Sequence, residues 1–147
     1  MLSQKLRECG VVGAGGAGFP TGVKAQSQVE FMIANGADGE LGVLARHAPL
    51  MTILKPGPLR IQQTYGGEEE VLFVGGGFLE VLPDRVTVLA DVAEHAEEIS
   101  IEAAEDARRR AQERLAGTVT AAEELQFRNA LAEAEARLRL ARARRGQ

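Results

Sequence analysis

Tryptophan is absent from this 147-residue chain, tyrosine occurs once, and five phenylalanines are the remaining aromatics. With so few rings, any core has to be built from Val, Leu, Ile and Ala and should be thin. The lone cysteine, Cys9, excludes an internal disulfide and makes a reducing compartment the default. The two histidines, His47 and His95, stand far apart in the chain, and with scattered carboxylates they give no usual metal-ligand spacing. No metal site is expected. No apolar run approaches the roughly 20 residues that cross a bilayer, and Met1-Leu2-Ser3-Gln4-Lys5-Leu6-Arg7-Glu8 lacks the apolar stretch of a signal peptide. The expectation is a soluble intracellular protein, or one peripheral to something larger. A net charge of -4 argues against general nucleic-acid binding. No nucleophile motif such as G-x-S-x-G occurs, so catalysis by the chain alone is not expected.

What is present is the composition of a soluble globular protein, 45% apolar and 26% charged, rather than of a disordered one. Its texture changes twice. Residues 1–28 are rich in glycine around Gly10 to Gly18; residues 29–92 hold short apolar runs cut by Gly and Pro; residues 93–147 contain no proline and two glycines, Gly117 and Gly146. Three segments are therefore expected: an atypical N-terminal stretch, a β-sandwich domain and a helical domain.

The middle segment reads as strands. Val29-Glu30-Phe31-Met32-Ile33 is followed by the turn dipeptide Asn35-Gly36, and Leu41-Gly42-Val43-Leu44 follows Asp38-Gly39. Met51-Thr52-Ile53-Leu54 stops at Lys55-Pro56-Gly57-Pro58, where proline forbids continuation. Runs at Leu59–Gln62, Val71–Val74, Phe78–Leu82 and Val86–Ala90 complete the series, with Pro83-Asp84 as the last turn. Strands at about ten-residue spacing suggest an antiparallel sandwich or barrel.

The last segment reads as two helices. Ser100 can cap the first, which Gly117 should end by taking a left-handed conformation. Thr120 opens the second, with Glu123 completing a capping box. Leu125, Phe127, Leu131, Ala134, Leu138 and Ala141 recur at helical spacing, and intervening alanines allow two backbones to pack closely as an antiparallel hairpin. Acidic residues lie early and arginines late in both helices, complementing their dipoles. His95, just ahead of them, reads as a solvated linker residue. The fold class is α+β: an antiparallel β-sandwich followed by a C-terminal antiparallel α-helical hairpin.

Two motif strings go further. Gly13-Ala14-Gly15-Gly16-Ala17-Gly18 matches G-x-G-x-x-G, but Phe19-Pro20-Thr21-Gly22 after it opens no helix, so a dinucleotide fold is disfavoured. The longer string through Val23-Lys24, with Ile33-Ala34-Asn35-Gly36-Ala37 beyond, resembles the flavin-site loop of the complex I flavoprotein and its RnfC-like relatives. The resemblance implies an alternative function, a flavin-associated electron-transfer fragment or fusion based on residues 10–24. Those families continue with a nucleotide-binding domain and often cluster-ligating cysteines, which this chain lacks. The segment is read as fused or recombined, and no cofactor is expected.

The second string is Gly39-Glu40-Leu41-Gly42-Val43-Leu44 with His47-Ala48-Pro49-Leu50, then Lys55-Pro56-Gly57, Gly75-Gly76-Gly77-Phe78-Leu79-Glu80-Val81 and Val86-Thr87-Val88-Leu89-Ala90-Asp91. In this order, ahead of a helical hairpin, these segments resemble the epsilon subunit of the F-type ATP synthase (delta in mitochondria) from about Val29 to the C-terminus. The resemblance implies a non-catalytic rotor subunit at the cytoplasmic face of the membrane, held there through the complex. Its partners would be the gamma subunit, the ring of c subunits and the alpha and beta catalytic subunits. By the family's motif, Glu40 and His47 fall in a loop facing the c-ring. The hairpin would fold against the sandwich or extend along gamma to inhibit ATP hydrolysis, with Arg137, Arg142, Arg144 and Arg145 as candidate inhibitory contacts. Two departures from the family stand out. Residues 1–28 do not resemble its first strand, which would expose a sheet edge; Val11-Val12 are candidates to pair there, but the glycines around them make a poor strand. The I-D-x-x-R-A motif, by which some members bind ATP, reads Ile99-Ser100-Ile101-Glu102-Ala103-Ala104 here, with only Arg110 matching a later arginine, so little or no ATP affinity is expected.

Overall fold

The computed structural model describes residues 11–13, 30–64 and 66–146. The chain divides into two compact units, Met1–His95 and Ala96–Gln147. Among the described residues the first unit carries nine strands: β1 (Val11–Gly13), β2 (Phe31–Gly36), β3 (Gly39–Leu44), β4 (Leu50–Leu54), β5 (Gly57–Gln62), β6 (Glu69–Val74), β7 (Gly77–Leu82), β8 (Arg85–Ala90) and β9 (Ala93–His95). Their order is β1-β8-β7-β4-β2-β5-β6-β9, and β3 pairs with β2. Every pairing is antiparallel except that of β1 with β8, where Val11 lies opposite Val88 and Val12 opposite Leu89. Val11–Gly13 thus forms a short strand along one edge of β8 despite its neighbouring glycines.

The sandwich follows from alternation. β5 and β7 each bury every second residue, as expected where one face of a strand meets a core. Two groups, β1-β8-β7-β4 and β3-β2-β5-β6-β9, are joined by one residue pair, Gly36 with Leu54. Between them lies a core that includes Met32, Leu59, Ile61, Leu72, Leu79 and Val81. Aliphatic side chains make up this cluster, and Phe73 on β6, also fully buried, is the largest side chain sealed from water among the described residues.

Glycine is required at the β6–β7 turn. Gly76 and Gly77 take φ of 116° and 125°, and a Cβ on Gly77 would run into the Leu89 carbonyl across the ladder. Elsewhere the chain departs from its turn signals. Asn35 and Gly36 belong to β2, paired with Glu40 and Gly39, so the turn is Ala37-Asp38. Asn35 spends its side chain instead on the Pro56 carbonyl, 3.1 Å away. The sheet also extends past residue 92. β9 pairs with β6, and His95 on it lies 3.6 Å from Glu70 with a mostly covered side chain, not in a solvated linker.

The second unit holds a 3-10 turn (Ala96–Glu98), α1 (Ile101–Ala116) and α2 (Ala121–Arg145). Ser100 accepts the Ala103 N–H at 3.2 Å, as an N-cap does. Thr120 and Glu123 complete the capping box: the Thr120 N–H donates to Glu123 at 2.8 Å and the Glu123 N–H to the Thr120 hydroxyl oxygen at 3.3 Å. Gly117 ends α1 in an extended conformation, ψ -173°, not the left-handed one. Its N–H donates to the Arg114 carbonyl at 3.2 Å, a tightened last turn that satisfies the carbonyl without positive φ. Ala134, Leu138 and Ala141 are buried and Phe127 and Leu131 partly so, but Leu125 is 62% exposed and lies off that stripe.

Candidate functional site

Three surfaces of the two units carry recognisable chemistry. The first is one end of the sandwich. The Ala37 N–H donates to the Ile53 carbonyl and the Lys55 N–H to the Asn35 carbonyl, both at 2.9 Å, tying the β2–β3 and β4–β5 turns together. The Gly75 N–H donates to the Val92 carbonyl at 2.8 Å and the Asp91 N–H to the Gly76 carbonyl at 3.1 Å, tying β6–β7 to β8–β9. The ladder pairs Leu54 with Gly77 and Gly57 with Val74, so the four turns share one end. Asp38, Glu40, Lys55 and Asp91 are exposed there. Glu40 stands on β3 beside the two-residue turn, opposite Asn35.

His47 is at the other end of β3. The strand runs through the string that the sequence reading treated as one loop, so the structure does not bring Glu40 and His47 together. The extended stretch from Glu40 to Leu44 alone covers about 13 Å at roughly 3.3 Å per residue, and His47 lies in the bend beyond it. His47 follows Arg46, whose φ of 61° makes it the one described non-glycine residue in the left-handed region. The His47 N–H donates to the Leu44 carbonyl at 3.2 Å, and Nδ1 lies 2.7 Å from the Ala48 carbonyl. Those bonds shape a tight bend.

The second surface is apolar. Ile53, Phe78 and Leu89 lie in register across β4, β7 and β8, and their exposures are 56%, 50% and 36%. Met51, two residues along β4 on the same face, is 69% exposed. A row of large side chains standing off a rigid sheet is expensive to leave in water and marks a contact surface. Sequence reasoning passed over these residues because period-two alternation shows which residues share a face, not which face is covered. The exposed alternate set was nevertheless apolar where a solvated face is normally polar, and that was the available signal.

The third surface is the C-terminal part of α2. Arg142 donates to Glu105 on α1 at 2.7 Å and Arg144 to Glu97 on the 3-10 turn at 3.1 Å. Arg137 pairs with Glu133 within its own helix at 3.4 Å. Arg139 and Arg145 have no ion-pair partner among the described residues. At the opposite end of the hairpin, Arg114 stands 6.0 Å from the centre of the Phe127 ring. Glu123 has its carboxyl held below the usual carboxylate range, first by the Thr120 backbone N–H and then by the Thr120 hydroxyl. In the stretch Ile99–Ala104, Ser100 caps α1 and Ala103 supplies its N–H to that cap. Among the described residues, no group of three or more His, Cys, Asp or Glu could hold a metal ion, and no helix is long and apolar enough to cross a membrane.

Residues 19–96 match the family model described as ATP synthase, Delta/Epsilon chain, beta-sandwich domain. The ATP synthase epsilon chain of Chromohalobacter salexigens is 45% identical over 132 residues, covering 90% of this chain and 89% of the relative. That of Desulforamulus reducens is 50% identical over 96 residues, 65% of this chain and 71% of its own length. Among solved structures, a chain of the Euglena gracilis mitochondrial ATP synthase, seen by cryo-EM with OSCP, F1 and c-ring, superposes with TM-score 0.66 at 25% identity over 86% of this chain and 77% of its own. A chain of the Tetrahymena thermophila mitochondrial central stalk and c-ring shares the fold at TM-score 0.63 and 11% identity, covering 89% of this chain and 94% of its own. The flavin-associated alternative drawn from residues 10–24 finds no support in these relatives, and most of that stretch lies outside the described residues.

Proposed function

Because this chain belongs to the delta/epsilon family of ATP synthase subunits, we propose that it works in the central stalk, joining the gamma subunit to the ring of c subunits and regulating ATP hydrolysis through its hairpin. It is a non-catalytic part of that machine and reaches the cytoplasmic face of the membrane through its partners. The observation that carries the reading is the exposed row Ile53–Phe78–Leu89 on a sheet stiffened from both sides. We assign this row to gamma. Apolar surface removed from water contributes about 25 cal/mol per Å2 to such a contact, and a hydrogen-bonded sheet passes torque without bending.

The polar end with Asp38, Glu40, Lys55 and Asp91 suits the polar loops of a membrane-embedded ring, since charged side chains there meet polar groups without entering lipid. Of the two residues that the family motif places toward the ring, Glu40 lies at this end. His47 we assign to contact at the opposite end of β3, where its bonds to Leu44 and Ala48 set the bend. Arg137, Arg142, Arg144 and Arg145 are assigned to acidic segments of the catalytic subunits when the hairpin extends. The nucleotide-sensing motif is lost, so isothermal titration of the full chain with MgATP should show no micromolar binding.

Reconstitution of the full complex tests the assignment. Phe78→Asp should abolish co-purification with gamma while the isolated chain keeps its β-sheet circular dichroism. Glu40→Gln should leave gamma binding intact and reduce ATP-driven proton pumping relative to hydrolysis. Normal gamma binding by Phe78→Asp would remove the row from the interface, and unaltered coupling in Glu40→Gln would free Glu40 from the ring.

A further inference from the structure

The arginines at the end of α2 are engaged within the hairpin. Arg142 reaches Glu105 at 2.7 Å and Arg144 reaches Glu97 at 3.1 Å, spanning 37 and 47 residues of chain. Both bonds join α2 to the beginning of the hairpin, where α1 and the turn before it start. The buried side chains of the two helices are small: Ala104, Ala111, Ala134, Ala136 and Ala141, with Leu138 as the largest. Helices that bury so little apolar area have a modest hydrophobic hold on one another. Ion pairs at their open end then weigh more in the balance between closed and open forms than they would in a large core.

We propose that Glu97 and Glu105 form a charge-masking latch, holding the hairpin closed by occupying the same two guanidinium groups that an acidic partner surface would take in the open form. The inference rests on the regulatory reading above and adds which groups set the balance. A guanidinium makes its strongest bonds to one carboxylate at a time in a paired geometry. Each guanidinium here donates through one terminal nitrogen, so closing the hairpin sets Glu105 and Glu97 in competition with any acidic partner for Arg142 and Arg144, and opening it releases them together. Side-chain exposure of the pairs, 55% and 47% for Arg142–Glu105 and 38% and 76% for Arg144–Glu97, leaves them open to screening, so the latch is weak enough to be reversible.

The two sides of the latch give opposite signs, which an ordinary structural ion pair does not. The double variant Glu97→Gln/Glu105→Gln unmasks the arginines, whereas Arg142→Gln/Arg144→Gln opens the hairpin but discards the groups that hold the open form. In a Cys9→Ser chain, spin labels at Glu102→Cys and Ala143→Cys report the open end of the hairpin by electron–electron distance, and the assembled complex reports ATP hydrolysis. Both double variants should raise the long-distance population about two- to fivefold, the range expected for two exposed pairs. Hydrolysis should fall with the glutamate variant and rise with the arginine variant. Reversing all four charges, Glu97→Arg/Glu105→Arg/Arg142→Glu/Arg144→Glu, should restore the short distance without restoring inhibition. Raising salt to about 1 M, where screening reaches about 3 Å, should open the parent chain and leave the two double variants unchanged. An unchanged distance in the glutamate variant overturns the latch, as does movement of hydrolysis in one direction for both double variants. Failure of the parent chain to enter the complex would instead strike at the subunit assignment.

Discussion

The two units of this chain are held together by different means. In the sandwich, Leu59, Ile61, Leu72, Leu79, Val81 and Val88 are sealed from water between strands whose backbone groups are paired. In the hairpin nearly every buried residue is alanine, and the ends are finished by caps and ion pairs. A large aliphatic core resists small changes of condition, because dispersion and burial are spread over many contacts. Caps and exposed pairs are few, local and sensitive to charge. The first construction resists deformation, and the second yields more readily to changes of charge and salt.

The sharpest way to break the contrast is to hollow the sandwich. Leu79→Ala should cost about 2–5 kcal/mol, read by urea unfolding of the full chain, and a loss below about 1 kcal/mol would show that the sheet is no stiffer than the helices. Next comes the capping box of α2. Thr120→Ala should cost about 1 kcal/mol of helix stability, measured as helical circular dichroism on heating. Its pH behaviour sharpens the point. The Glu123 carboxyl is held below its usual range in the folded hairpin by the Thr120 bonds, so its contribution is complete above the ordinary glutamate value of about 4.3 and fades as pH falls through the lowered one. Helicity of the parent chain should therefore decline below about pH 4 more steeply than that of Glu123→Gln. Smallest of all should be Arg128→Gln, which removes a pair to Glu124 at 2.7 Å between exposed groups. The expected loss is about 0.3–0.5 kcal/mol, and a loss above about 1 kcal/mol would mean that single surface pairs hold the hairpin by themselves.

Features set by neighbouring residues were legible in the sequence. Ser100, Thr120 and Glu123 act where their spacing placed them, because a cap involves residues three apart. Alternation located the strands for the same reason. Features set by distant residues were not legible. Asn35-Gly36 has the composition of a turn, yet pairing with Glu40 and Gly39 draws it into β2 and moves the turn to Ala37-Asp38. β9 is three residues long with no buried side chain, and β6 alone makes a strand of it. Gly117 can reach positive φ but does not need to, since its N–H meets the Arg114 carbonyl in an extended conformation. Glu40 and His47 were placed in one loop by the family's motif, although the apolar run between them already read as a strand, and β3 sets them at its two ends. The exposed row on β4, β7 and β8 needed the register of three strands before it could be seen at all.

β2 occupies an unusual place in the sheet, with β3 along one side, β5 along the other and β4 meeting it at Gly36. That position should be readable as a clock. On transfer to heavy water, the amide protons around Met32 and Ile33 point alternately to the strands on either side, so the set exchanges as a whole only when both neighbours part from β2, whereas the three-residue β9 pairs with β6 alone among the described strands. Deuterium should enter β9 first and the middle of β2 last, and the interval between them would time how far the sheet opens short of complete unfolding.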